Sequence, residues 1–120
     1  MLKASNYDVL LLPKGYFKPY EKKFDVFLLR DNILLECDLK TITSHNPDTI
    51  GNRIKEGSDQ APRIVLDITS KISKNDLIVA LKTGSVKNEA LAEVMLFYNS
   101  NFYRLKKDLI LSKKIFDTLK

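Results

Sequence analysis

The segment FDVFLLRDNILLECDLK, residues 24–40, constrains the fold more than any other part of the chain. Two apolar runs flank Asp31-Asn32, a pair that tolerates the positive φ of a tight reversal, so the segment predicts a β-hairpin. Side chains alternate faces along a strand. Glu36, Asp38 and Lys40 therefore share one face, and Leu35, Cys37 and Leu39 share the other. Charged groups on one face of an otherwise apolar hairpin are costly to bury without compensation. Asp25 opens the partner strand and adds a third carboxylate.

The rest of the chain reads as elements around this hairpin. Residues 7–12 (YDVLLL), stopped by Pro13, predict a strand. Segment 13–23 carries two prolines, Gly15, several lysines and the aromatics Tyr16, Phe17 and Tyr20, and reads as a loop crossing one edge of the site. After Lys40, TITSHNP is loop-like, with Asn46 or Asp48 as cap of the next helix. In DTIGNRIKEGSDQA, Ile50, Ile54, Gly57 and Ala61 fall on one face, as an amphipathic helix requires. Arg53 and Gln60 lie on one side of that stripe, and Pro62 ends it. RIVLDI reads as a buried strand. Ser73 and Asp76 form a cap pair for a helix carrying Leu77, Ile78 and Leu81 and ending at Gly84. Residues 91–98 and 102–105 predict a second hairpin around Asn99-Ser100-Asn101. The tail LKKDLILSKKIFDTLK has helical spacing at Leu105, Leu109, Ile110, Ile115 and Leu119. The order β-ββ-α-β-α-ββ-α predicts one α/β domain over residues 1–120, a mixed β-sheet flanked by helices.

Composition narrows the partners. A chain of 120 residues supports a single modest core, and 44% hydrophobic with 29% charged residues excludes wholesale disorder. The net charge of +5 favours an anionic partner such as nucleic acid. Cys37 is the only cysteine, which excludes an internal disulfide framework and a thiolate zinc site, and its place on the apolar face marks it as core. No apolar run reaches the length of a membrane span and no signal-peptide pattern opens the chain. Export as the tail of a larger protein is compatible with both.

Asp25 followed by Asp38-Leu39-Lys40 fits the loose pattern D-x(n)-(D/E)-x-K. Two carboxylates can hold a hard cation, Mg²⁺ or Mn²⁺, which polarises a phosphoryl oxygen and acidifies a bound water. The lysine can position the nucleophile or neutralise transition-state charge. Glu36 offers a further ligand or a proton acceptor. This is nuclease chemistry. The plain alternative is a set of solvent-facing charges on a half-exposed hairpin. His45, in the following loop, is the only histidine, so a His–His acid/base pair is excluded; it reads as an exposed loop residue without a role, or alternatively as a catalytic or substrate contact. No Gly-rich phosphate loop, nucleophile elbow or Cys–His dyad is present.

The succession YDVLLLP, FDVFLL, LLECDLKT, TIGNRIKEGSDQAPRIVLDI and EVMLFYNSNFYRL, spanning roughly residues 7–105, resembles the C-terminal toxin nuclease domains of the CdiA type. These are polymorphic-toxin tRNases, with similar domains in mobile-element and phage-associated proteins. The most specific part is the acidic-x-Lys strand followed by T-I-x-N-R-I-x-E-G-x-x-Q-A and an apolar strand. The resemblance implies a PD-(D/E)XK restriction-endonuclease-like fold, or alternatively a barnase–colicin–RelE-like α+β fold. It implies a metal-dependent nuclease acting on structured RNA, chiefly tRNA. Asp25, Asp38 and Glu36 are then the metal ligands and Lys40 assists the nucleophile. Arg53, Gln60, Lys18, Lys22, Lys23 and His45 contact substrate. Phe24 replaces the family's proline before the first aspartate, and either Glu36 or Asp38 fills the second acidic position. A cognate immunity protein is implied as partner, as is action in the cytoplasm after delivery as the C-terminal part of a secreted effector. Two alternatives stay open: a non-catalytic module binding nucleic acid or a partner, and a metal-independent RNase using Lys40, Arg53 and His45.

Overall fold

The computed structural model describes the backbone of Leu2–Ala4, Val9–Pro13, Val26–Arg30 and residues 33–120, with side chains from Leu35 onward. Among the described residues, seven strands form one mixed sheet: β1 (Leu2–Ala4), β2 (Val9–Pro13), β3 (Val26–Arg30), β4 (Ile33–Ile42), β5 (Arg63–Ile68), β6 (Glu93–Tyr98) and β7 (Asn101–Lys106). They lie side by side in chain order. Pairing is antiparallel from β1 to β4, parallel from β4 through β6, and antiparallel again between β6 and β7. The four-strand mixed portion β4–β7 carries the crossovers and the core among the described side chains.

Parallel neighbours cannot be joined by a tight turn, so each needs a crossover. Helix α1 (Pro47–Ser58) links β4 to β5, and α2 (Lys74–Ser85) links β5 to β6. Two crossovers of the same hand, stepping the same way across a sheet, deliver their helices to the same face. Ile50 and Ile54 of α1 and Leu77 and Leu81 of α2 accordingly share one core with Ile64, Leu66, Val94 and Leu96. Two short helical turns, α3 (Lys107–Ile110) and α4 (Ile115–Thr118), add Ile110, Ile115 and Leu119 to that core. Helices pack against the sheet as expected, and every described helix lies on one face. On the other face Cys37, Val65 and Met95 are fully buried, with Leu35, Leu39, Phe97 and Phe102 packed around them.

Local chemistry sets the element ends. Asn46 caps α1, its Oδ1 accepting from the Asp48 amide at 2.9 Å, and Pro47 follows where its missing N–H costs nothing. Ser73 caps α2 by accepting from the Asp76 amide at 3.2 Å. The β6–β7 hairpin turns on Asn99 and Ser100, with φ of 50° and 63°, the two successive positive values of a type I′ turn. Asn101, expected in the turn, pairs with Tyr98 as the first residue of β7. Arg30 pairs with Ile33, the register that the expected hairpin requires, while Asp31 and Asn32 lie outside the described residues; Pro13, expected to open the loop 13–23, is the last residue of β2, and residues 14–23 lie outside the described residues.

Three further elements differ from the reading of the sequence. Strand β1 was not foreseen; at three residues it is too short for a pattern to show. Helix α1 stops at Ser58, short of Ala61: the Asp59 amide turns back onto the Glu56 and Gly57 carbonyls, and Ser58 Oγ donates to Lys55 O at 2.8 Å. The single C-terminal helix is instead α3 and α4 with a break between them. There the Ser112 hydroxyl donates to Leu109 O, and Lys82 Nζ donates to the carbonyls of Ile110 and Ser112. Side chains that capture backbone carbonyls in this way compete with helix continuation.

Candidate functional site

Strand β4 places Glu36, Asp38 and Lys40 on the same face as Ile42, the face that α1 covers. Burial along the row is uneven. Glu36 is half-buried, Asp38 is 2% exposed, and the Lys40 side chain is 17% exposed. Lys40 Nζ lies 3.2 Å from Asp38 Oδ2, a buried ion pair between alternate residues of one strand. Asp38 is thus no solvated surface charge, and the plain alternative fails for it.

Helix α1 closes the middle of the row. A Cβ built on Gly57 would come within 2.8 Å of Asp38 Oδ2 and 2.7 Å of Ile64 Cδ1. Only a residue without a side chain lets the helix backbone lie that close to the carboxylate. Sequence reasoning counted Gly57 as part of the apolar stripe and missed this role. Its spacing from the acidic-x-Lys strand is visible in the chain, but the contact depends on the angle at which α1 crosses.

The remaining expected residues divide. Arg53 is on α1 one turn before Gly57; its guanidinium is 3.9 Å from Glu56, and it lines a cleft of about 170 Å³ with Thr41 and Ser44, just past Lys40 in β4. His45 is exposed in the loop leading into α1. Gln60 lies two residues beyond the end of α1, exposed in a turn, so its expected place on the helical stripe is corrected. Asp25, Lys18, Lys22 and Lys23 lie outside the described residues. Val26, the residue after Asp25, pairs with Cys37, the residue before Asp38.

Among the described residues no three His, Cys, Asp or Glu side chains gather into a metal-sized group. Glu36 and Asp38 carry carboxylate oxygens, the hard donors that Mg²⁺ or Mn²⁺ favours, and are the described residues that would hold such a cation.

A second ionic group escaped sequence reasoning. On the opposite sheet face Glu93, 3% exposed, accepts from Arg63 Nε at 3.0 Å and faces Arg104 Nε at 3.8 Å. These residues come from three strands, and only the sheet register brings them together.

A mixed sheet with two helical crossovers on one face, and an acidic-x-lysine strand beneath the first of them, defines a compact α/β domain. Residues 35–102, more than half of the chain, match the model of the contact-dependent growth inhibition CdiA C-terminal domain, and the chain belongs to that family. The resemblance read from the sequence is therefore borne out, and the chain is a toxin effector domain of the kind carried by secreted effectors into target cells. The match takes in Asp38, Lys40 and Gly57. Neither the curated proteins nor the solved structures yield a match to the chain. No described helix is long and apolar enough to cross a membrane.

Proposed function

We propose that the domain is a metal-dependent nuclease that cleaves phosphodiester bonds in structured RNA, with tRNA as its substrate. The observation that carries this reading is the Asp38–Lys40 pair buried on β4 beneath Gly57. An antiparallel hairpin, a crossover helix and a parallel strand around an acidic-x-lysine run support a PD-(D/E)XK-like assignment. Glu36 and Asp38, with Asp25, would hold the divalent cation. When bound, that cation polarises a phosphoryl oxygen and lowers the pKa of a water. Asp38 holds Lys40 in place, and Lys40, the more exposed member, orients the attacking water and offsets charge developing on the phosphoryl group. Arg53 supplies a cation beside the strand end that follows Lys40, where a flanking phosphate would rest. The cognate partner of this activity is an immunity protein that blocks the site.

Incubating tRNA with the purified domain, with and without EDTA, tests the reading. Cleavage that EDTA abolishes and Mg²⁺ or Mn²⁺ restores is expected, together with loss of cleavage in Asp38→Asn. Cleavage that survives chelation would move the chemistry to Lys40, Arg53 and His45 without metal. No cleavage under either condition would leave a binding module.

A further inference from the structure

Strand β4 ends at Ile42, and the chain passes through residues 43–46 into α1. A cleft of about 170 Å³ lies at this end of the strand, and Thr41, the residue after Lys40, is part of it. Ligands of sheets with parallel strands collect at the carboxyl ends of those strands. The lining is of three kinds. Ile42 and Ile50, both buried, give an apolar inner wall; Thr41, Thr43, Ser44 and Thr49 bring four hydroxyls; Arg53 brings a cation. Thr41, Thr43 and Thr49 are exposed, so their hydroxyls are within reach of an incoming ligand. Ser44 Oγ accepts from the Asn46 amide at 3.0 Å, which leaves its O–H to donate. Arg53 lies 3.9 Å from Glu56, too far for a hydrogen bond. Both side chains of that pair are well exposed, so it is weak and the guanidinium can turn to a ligand.

These groups narrow the ligand. Among the described residues no carboxylate lines the cleft, so a divalent cation has no charged ligand there, and no aromatic ring lines it to stack a base. A guanidinium takes phosphate oxygens. Hydroxyls donate and accept, as a sugar hydroxyl does, and an apolar wall suits the C–H face of a sugar ring. Ribose joined to phosphate meets all three, and its 2′-hydroxyl is the group by which a protein tells RNA from DNA. We infer that the Thr41–Thr43–Thr49–Arg53 cleft is a ribose-phosphate subsite that selects RNA over DNA by the 2′-hydroxyl of a nucleotide flanking the scissile phosphate. The inference deepens the RNA reading of the Asp38–Lys40 site and rests on it.

Thr43→Val with Thr49→Val removes two hydroxyls at exposed positions and keeps side-chain size, so the double variant should melt with its parent. The parent is Asp38→Asn with EDTA present, which holds cleavage off. It should bind tRNA more tightly than a DNA strand of the same sequence. In the double variant the affinity for tRNA should fall by about tenfold, the worth of one or two hydrogen bonds, while the affinity for DNA stays as it was. Arg53→Gln should weaken both nucleic acids alike and reduce the slope of log affinity against log salt by about one, as loss of a phosphate contact does. A parent that favours tRNA and a double variant that keeps the whole preference would overturn the inference and leave the RNA reading standing, with RNA told from DNA by shape. Equal losses for tRNA and DNA in the double variant, or an unchanged salt slope in Arg53→Gln, would overturn it as well. A parent that binds tRNA no better than DNA would overturn the RNA reading and the inference together.

Discussion

Asp38 and Lys40 share their ion pair unequally, because the carboxylate is sealed and the ammonium reaches its edge. Removing the cation with Lys40→Met takes a charged partner from a buried carboxylate, a defect that costs roughly 3 kcal/mol. Removing the anion with Asp38→Asn keeps the volume and much of the hydrogen-bonding capacity, and Lys40 can turn toward water, so the loss should be about 1–2 kcal/mol. Urea denaturation of both variants should show that order, with Lys40→Met the less stable. Equal losses would mean that the carboxylate is not the costly partner. The shared face of these residues was legible from strand alternation alone. Their burial was not, since alternation says which face a residue takes and nothing about what covers that face. The same limit hid Gly57 and Glu93, each of which acquires its role from a neighbour far away in sequence.

At the scale of elements, the two crossover helices meet through glycines that propensity alone counts as defects. A Cβ on Gly84 of α2 would lie 2.7 Å from Ile54 Cβ, an atom tied to the α1 backbone. Gly84→Ala should therefore push the helices apart. An overpacking cost of ~1–3 kcal/mol outweighs the ~1 kcal/mol gained in helix propensity. Gly57→Ala meets the flexible tip of Ile64 and the Asp38 carboxylate instead. Thermal melts should show little loss of stability for this variant, while cleavage falls by about a hundredfold, the effect of moving a reacting group by roughly 1 Å. Activity that tracks the folded fraction in both variants would remove Gly57 from the site. Helix α2, strand β5 and the β6–β7 hairpin were legible because each carries its own cap, apolar period or turn pair. The C-terminal segment was misread because its period persists through Ser112, while carbonyl capture by Ser112 and Lys82 breaks the helix.

At the scale of the whole molecule, the core beneath the helices ties the site to the global fold. The cluster under the helices runs from Ile42 of β4 to Leu119 near the C-terminus, with Ile64, the strand neighbour of Asp38, inside it. A single domain of this size unfolds as a cooperative unit, so a ligand bound at Asp38 only in the native state must raise the stability of the entire fold. Mg²⁺ at a hundred times its dissociation constant adds about 2.7 kcal/mol. For a chain of this length that is on the order of 10 °C in Tm. Scanning calorimetry at constant ionic strength should show Tm climbing with Mg²⁺ in the wild type and flat in Asp38→Asn. Holding ionic strength constant matters because the domain carries a net charge of +5, and added salt screens its self-repulsion whatever the cation. A wild type indifferent to Mg²⁺ and Mn²⁺, or an equal rise in both forms, would take the metal away from Asp38 and leave the buried pair as an anchor for Lys40 alone.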